Sequence, residues 1–160
     1  CVDIARERAA AQGVRLESVL SPDVPAIMGD RDRLETVVLN LINNAIDAVR
    51  GCGREGVVTV QSARLRRDRE EWAMIKVIDN GPGIPEEILG RIFDPFFTTK
   101  DVGQGTGLGL FLSYSIVADH RGRLEVANGE VGAVASVVLP ALPIVSEASQ
   151  EAGWNMRAKY

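Results

Sequence analysis

The stretch from Asp79 to Leu110 combines residue types that suit nucleotide binding. Seven glycines stand between positions 81 and 109, at 81, 83, 90, 103, 105, 107 and 109. Glycine permits backbone geometries that a Cβ excludes and lets the backbone approach a ligand closely. The apolar run from Gly107 to Val117 predicts a helix whose free N–H groups and positive dipole end face this glycine loop. We therefore predict an anionic ligand here.

Asp79 is the candidate for reading the base of such a ligand. An ionised carboxylate accepts hydrogen bonds but donates none, so it pairs with the amine of adenine and leaves the carbonyl of guanine unpaired. This predicts selection of ATP over GTP, with Gly81 and Gly83 letting the strand end lie against the purine. Taken alone, a D-N-G-P-G segment fits a plain turn equally well.

A second polar set lies on the longest predicted helix, from Asp30 to Val49. Its apolar face comprises Leu34, Val37, Val38, Leu41, Ile42, Ala45 and Val49, and its opposite face holds Asn40, Asn43, Asn44 and Asp47. Asn and Asp are weak helix formers, which favours a functional face over a merely solvated one. Asn40 and Asn44 lie one turn apart, and oxygen is the ligand that Mg²⁺ takes while it bridges phosphates.

Lys100 stands between three phenylalanines and the glycine loop. We expect Phe93, Phe96 and Phe97 to anchor the polar, glycine-punctuated segment that follows, whose composition is that of a mobile lid. The ammonium of Lys100 would then reach phosphate oxygens, although an ordinary surface lysine is the alternative. The loop is not a P-loop, because no Gly-Lys-Ser or Gly-Lys-Thr follows it.

Length and composition predict one globular domain around this site. The chain has 160 residues, 46% of them hydrophobic and 25% charged, with a net charge of −4. Acidic neighbours offset the arginines at 64–69, so no basic stripe indicates nucleic acid. Two cysteines are too few for a disulfide framework and fit a reducing compartment. No apolar run approaches the roughly 20 residues that span a bilayer, so we expect a cytoplasmic domain excised from a longer chain, with any membrane segment upstream.

The remaining pattern predicts the elements that position these residues. Helices are expected at 2–12 and 85–89, and strands at 14–20, 26–28, 57–65, 72–78, 123–127 and 133–139. Together they predict an α/β (α+β) two-layer sandwich: a mixed, mostly antiparallel sheet of about five strands with about three helices on one face. We expect this domain to cover residues 1–141 and a polar C-terminal tail to follow at 142–160.

Four segments in order resemble the ATP-binding boxes of the histidine-kinase catalytic domain, in the superfamily shared with gyrase, a heat-shock chaperone and mismatch-repair ATPases. They are N-L-I-N-N-A at 40–45, D-N-G-P-G-I at 79–84, F-D-P-F-F-T-T-K at 93–100 and G-Q-G-T-G-L-G-L at 103–110. The resemblance spans roughly residues 1–140 and implies the Bergerat-type ATP-binding fold. Among histidine kinases, the residues of these motifs are most similar to those of the nitrogen-regulation and dicarboxylate-sensing kinases.

The resemblance implies ATP and Mg²⁺ as cofactors. It implies Asn44 as the metal ligand with Asn40 beside it, Lys100 and the second glycine box on phosphates, and Asn40, Asn44 and Lys100 as catalytic residues. The implied nucleotide-binding set is Asn40, Asn43, Asn44, Asp47, Asp79, Gly81, Gly83, Ile84, Phe93, Thr99, Lys100, Gly103, Gly105, Thr106, Gly107, Leu108, Gly109 and Leu110. The implied partners are the phosphoacceptor histidine domain of the same dimeric kinase and a cognate response regulator, in an inner-membrane-anchored sensor.

Two departures from the family pattern limit this transfer. Ala133 and Ala135 replace the threonine and the aromatic residue of the terminal glycine box. The single histidine, His120, fits a helix C-terminus as an imidazolium, so we expect the phosphoacceptor on a separate domain.

Hydrolytic relatives carry a glutamate where Asn40 stands, which predicts slow hydrolysis. The alternatives are a hydrolytic ATPase or Ser/Thr kinase of the same superfamily, or a nucleotide-ordered binding module without catalysis.

Overall fold

The structure is a computed structural model that describes residues 2–50, 52–68, 70–100 and 105–142. In chain order the elements are α1 (Val2–Ala11), β1 (Val14–Leu20), α2 (Arg31–Val49), β2 (Gly56–Arg67), β3 (Glu70–Asp79), α3 (Glu86–Leu89), α4 (Gly109–Asp119), β4 (Arg123–Asn128) and β5 (Ala133–Pro140). Apart from Leu142, the predicted tail lies outside the described residues.

The five strands form one sheet in the order β1-β2-β3-β5-β4. Strand β1 runs parallel to β2, and the pairings of β2 with β3, β3 with β5 and β4 with β5 are antiparallel. The register of the β2–β3 hairpin places Val58 opposite Asp79 and therefore brings Asp79 to the end of a central strand. This confirms the predicted mixed, mostly antiparallel sheet.

One hydrophobic core joins α1, α2 and α4 to the sheet. It includes Ile42 and Ile46 of α2, Val58 and Val60 of β2, and Val117 of α4, all at most 2% exposed. Full burial of such a side chain stabilises the fold by roughly 1.5–3 kcal/mol. The two-layer sandwich is confirmed, and the core orients α2 so that its opposite edge faces away from the sheet.

The beginning of α2 is tied to the end of α4. The side chain of Asp30 caps α2 by accepting hydrogen bonds from the backbone N–H groups of Asp32 and Arg33, at 3.0 and 3.1 Å. His120 bonds the Ile116 carbonyl through Nδ1 (2.7 Å), and its Nε2 accepts the N–H of Asp30 (2.9 Å). His120 therefore ends α4 as predicted and joins it to the beginning of α2.

The structure differs from the sequence expectation at residues 26–28. They form no strand but contribute one isolated bridge, between Ile27 and Ala141. The preceding Pro25 has no N–H to donate to a ladder, and Gly29 follows within two residues of the bridge, so nothing extends the pairing. Within the described ranges, no helix is both long enough and apolar enough to cross a membrane.

Candidate functional site

A cleft of about 1200 Å³ lies between α2, the loop after β3 and the beginning of α4. Pockets for drug-sized ligands have volumes of roughly 300–1,000 Å³, so the cleft can hold a larger ligand. The predicted site residues that line it are Asn40, Asn43, Asn44, Asp47, Asp79, Gly83, Ile84, Thr99, Lys100, Gly105, Thr106, Gly107, Gly109 and Leu110.

Three predicted residues within the described ranges do not line this cleft. Gly81 is buried directly behind Asp79, and Phe93 and Leu108 do not border the cleft. A further predicted residue, Gly103, lies outside the described residues. The cleft therefore draws together most of the predicted set from three distant parts of the chain.

Asp79 is the buried carboxylate of the cleft, with only 7% of the residue exposed. Its Oδ1 accepts hydrogen bonds from the backbone N–H groups of Gly81, at 2.8 Å, and Ala133, at 3.2 Å. Burial away from water raises the pKa of Asp79, and these two hydrogen bonds oppose that rise. Within the described chain, Oδ2 has no hydrogen-bond partner. Asp79 therefore offers one acceptor oxygen to a ligand.

The backbone around Asp79 is packed so closely that it requires glycine. Gly132 has a φ of +73°, and a Cβ at this position would overlap the backbone oxygen of Asp79. A Cβ on Gly81 would lie 2.8 Å from Oδ1 of Asp79. Ala133, at the position where the resemblance implies a threonine, contributes a backbone N–H to the carboxylate but no hydroxyl. The altered terminal glycine box therefore still supports Asp79 through its backbone.

Residues that the sequence analysis did not single out hold the loop after β3. Arg54 donates to the carbonyl oxygens of Asn80 and Gly81. The side chain of Asn128 accepts from the N–H of Ile84 at 2.7 Å and donates to its carbonyl at 2.8 Å. No local pattern marks Arg54 or Asn128, because their partners are distant in sequence and become neighbours only when the sheet forms.

The asparagine face of α2 borders the same cleft. The amide of Asn40 donates to the buried hydroxyl of Ser113 at 2.9 Å, and a Cβ on Gly109 would overlap the Asn40 oxygen. Asn40 is thus engaged with α4. The side chain of Asn44 makes no hydrogen bond to any described residue and is available to a ligand. The sequence does not distinguish Ser113 from Ser115 on the same helix, and only the structure shows that Ser113 is the buried one.

The residues present fit a Mg²⁺ ion that arrives with a nucleotide. No group of three or more His, Cys, Asp or Glu side chains suited to a metal occurs among the described residues. Mg²⁺ usually keeps several waters and takes one or two protein oxygens together with substrate phosphates. The free amide oxygen of Asn44 suits this kind of partial coordination.

The N-terminus of α4 is open towards the cleft. Leu108, at the N-cap position, makes no side-chain capping hydrogen bond. Gly107 precedes it with a φ of +64°, packed so closely on the backbone of Phe96 that a Cβ would overlap it. Unsatisfied N–H groups and the positive end of the helix dipole favour an anion such as phosphate at this position.

The phenylalanine segment differs in part from the expectation. Phe93 packs against the core and against Tyr114, with ring centroids 5.3 Å apart. Phe97 is half-buried beneath the guanidinium of Arg91. Phe96 is 73% exposed, so the prediction that it anchors this segment to the core is wrong. Its φ is +66°, and its backbone packs closely against Gly107.

Opposite charges pair where Lys100 meets α2. The Nζ of Lys100 lies 2.6 Å from Oδ2 of Asp47, and the guanidinium of Arg8 lies 3.0 Å from Oδ1. All three residues border the cleft. Asp47 therefore holds two cations, one from α1 and one from the segment that precedes the glycine loop.

Comparison with known proteins supports this architecture. The family described as histidine kinase-, DNA gyrase B- and HSP90-like ATPase matches residues 29–143. The chain is 42% identical over 114 residues to the two-component sensor PprA of Pseudomonas aeruginosa, covering 71% of this chain and 12% of that protein. It is 36% identical over 128 residues to the sensory histidine kinase/phosphatase NtrB of Rhodobacter capsulatus, covering 76% of this chain and 36% of that protein.

A solved structure extends the likeness to three dimensions. The catalytic domain of histidine kinase ThkA superposes with a TM-score of 0.73 at 31% identity, covering 88% of this chain and 89% of that one. The chain spans only about a tenth to a third of the two curated relatives' lengths. The fold agrees with this match, and the chain belongs to the family of histidine kinase-, DNA gyrase B- and HSP90-like ATPases.

Proposed function

We propose that this domain binds Mg-ATP and donates the γ-phosphate to a histidine on a separate phosphoacceptor domain of a two-component sensor. The observation that carries the proposal is one cleft bordered by a buried carboxylate with a free oxygen and by an uncapped helix N-terminus. The first suits an adenine amine, and the second suits phosphate. The names of the relatives as sensor kinases support the same reading.

Each part of the nucleotide has a candidate partner. Oδ2 of Asp79 accepts the exocyclic amine of adenine, and the amide oxygen of Asn44 takes one position on Mg²⁺. The N–H groups at the beginning of α4 and the ammonium of Lys100 neutralise the phosphates. When bound, Mg²⁺ would supply charge neutralisation, which together with positioning is the main requirement of phosphoryl transfer.

Among the described residues that line the cleft, no free base is present to activate water. Among its described residues the carboxylates are Asp47 and Asp79. Asp47 is paired with two cations, and Asp79 is reserved for the base. Asn40, at the position where hydrolytic relatives carry glutamate, is an amide and cannot take a proton. Slow hydrolysis and transfer to an external imidazole follow from this arrangement.

An apolar surface beside the cleft suits a docking protein. Phe96, Leu112 and Phe111 are 73%, 50% and 38% exposed. Large apolar side chains grouped on a surface mark interaction sites. We propose that the phosphoacceptor domain of the same kinase docks here and that a response regulator then receives the phosphate. In this reading the chain is the cytoplasmic catalytic part of a membrane-anchored sensor.

The test is phosphotransfer from [γ-³²P]ATP, with the chain supplied together with the helical-hairpin phosphoacceptor domain of its own kinase. We expect acid-labile, base-stable phosphate on histidine of that domain, and loss of the signal with Asn44→Ala. Acid-stable phosphate would instead indicate a serine or threonine kinase. Fast hydrolysis by the chain alone, abolished by Asn44→Ala, would indicate a hydrolytic ATPase.

A further inference from the structure

Asp47 lies between two cations that come from different parts of the chain. Arg8 belongs to α1, which precedes residues 29–143 matched by the family pattern. The guanidinium bonds Oδ1 at 3.0 Å, while the ammonium of Lys100 bonds Oδ2 at 2.6 Å. Each carboxylate oxygen therefore has its own partner, and the departure of one cation leaves the other in place.

The three side chains are partly shielded from water. Their exposed fractions are 42% for Arg8, 24% for Asp47 and 36% for Lys100. A pair of this kind is worth roughly 1 kcal/mol or less, and salt weakens it. The Asp47–Lys100 bond is therefore weak enough for a triphosphate to displace, because a polyphosphate carries more charge than one carboxylate.

When Lys100 leaves Asp47 for the phosphates, the charge of the cleft wall near those phosphates changes. Without a second cation, Asp47 would be a bare anion on the wall that the triphosphate approaches, and it would compete for Lys100. Arg8 remains on the other oxygen and prevents this. Arg8 thus favours the state in which Lys100 binds the phosphates.

We propose that Arg8 is a positioning residue that acts through Asp47: it neutralises this carboxylate and so releases Lys100 to the phosphates of a bound nucleotide. This inference rests on the proposed binding of Mg-ATP in the same cleft. It also gives α1 a role in the site, since a displacement of α1 that withdrew Arg8 would strengthen the hold of Asp47 on Lys100.

The experiment compares wild type, Arg8→Gln, Asp47→Asn and the double variant by calorimetric titration with Mg-ATP, and by NMR titration with adenosine. We expect Arg8→Gln to weaken Mg-ATP binding about fivefold, the equivalent of one partly exposed ion pair. Adenosine binding should not change, because adenosine has no phosphate. In the Asp47→Asn background the Arg8 substitution should have no further effect on Mg-ATP affinity, since no carboxylate remains to neutralise.

Two further variants sharpen the result. Arg6→Gln is the matched control, because Arg6 lies on the same helix but bonds Ser18 and Asp3, away from the cleft; it should bind Mg-ATP like the wild type. Arg8→Lys should restore most of the affinity, and raising the salt from about 0.05 M to about 0.5 M should shrink the Arg8 effect.

The possible outcomes separate this inference from the proposed function. Wild-type Mg-ATP affinity in Arg8→Gln overturns the inference and leaves the proposed function standing. An Arg8 effect that persists undiminished with Asp47→Asn also overturns it, since Arg8 would then touch the phosphates directly. Equal losses for adenosine and Mg-ATP would show a purely structural role. Absence of Mg-ATP binding by the wild type would refute the proposed function itself.

Discussion

Replacement of Asp79 by asparagine should separate nucleotide recognition from folding. Asparagine has the same shape, and its Oδ1 can accept the same N–H groups of Gly81 and Ala133, which now lie 2.8 and 3.2 Å from the carboxylate. The change falls on the other atom, where the free acceptor Oδ2 becomes an NH₂ donor. That donor would face the amine of adenine, which is also a donor.

The expected loss of affinity follows from this exchange. A hydrogen bond to a charged acceptor contributes roughly 1.5–3 kcal/mol, which corresponds to roughly 10- to 150-fold in Kd. Asp79→Asn should therefore bind ATP and ADP at least about tenfold more weakly than the wild type in calorimetric titration. Discrimination against GTP should diminish as well, because the new NH₂ group can donate to the guanine carbonyl.

Although Asp79→Asn should weaken nucleotide binding, it should not weaken the stability of the fold. Because burial raises the pKa of Asp79, the native state binds this proton more tightly than the unfolded chain does. The contribution of the group to stability is thus greatest at acidic pH and declines as pH rises through the raised pKa. Asp79→Asn should equal the wild type in acid and be at least as stable at neutral pH, as measured by urea unfolding across this range.

Asp119→Asn is the matched control, since it removes the same charge from an exposed carboxylate that pairs with Arg33 on the surface. It should leave ATP affinity unchanged. Two results would refute the reasoning. If Asp79→Asn retained wild-type affinity, the base would be read elsewhere. If it were markedly less stable at neutral pH, the charge itself would be needed by the fold.

Four further substitutions test other parts of the site. Asn44→Ala should abolish the gain in ATP affinity that Mg²⁺ provides, roughly tenfold, while binding without Mg²⁺ stays near wild type; titrations with and without the metal decide this. Gly107→Ala should destabilise the fold by about 2 kcal/mol or more, measured by urea unfolding, because of its positive φ and the backbone overlap that a Cβ would create. Ala133→Thr should strengthen ATP binding by about fivefold through a hydroxyl beside the base-reading carboxylate, and an unchanged Kd would contradict this. His120→Ala should lower the free energy of unfolding by about 1–2 kcal/mol, because it removes one hydrogen bond to the Ile116 carbonyl of α4 and one that joins the end of α4 to the beginning of α2.

The main elements of the fold could be predicted from sequence because their patterns are local. The apolar stripe of α2, the alternating strands on either side of the hairpin and the glycines of the loops each reflect the geometry of neighbouring residues. The prediction of a strand at 26–28 was wrong because three residues beside a proline carry too little pattern to decide whether a partner strand exists. The prediction that Phe96 anchors this segment to the core was wrong for a related reason. The packing of its backbone against Gly107 is a tertiary contact that composition does not reveal.

The sequence by itself determined the types of groups available to the site: a carboxylate after a strand, amides on one helix face, a lysine and a glycine loop before a helix. These follow from residue identity and short-range spacing. Only the tertiary structure decided which of them are free. Asp47 is paired with Arg8 and Lys100, Asn40 is bonded to Ser113, and His120 accepts the N–H of Asp30. These partners are separated by 39 to 90 residues along the chain, so their pairing depends on how the core packs α1, α2 and α4 together.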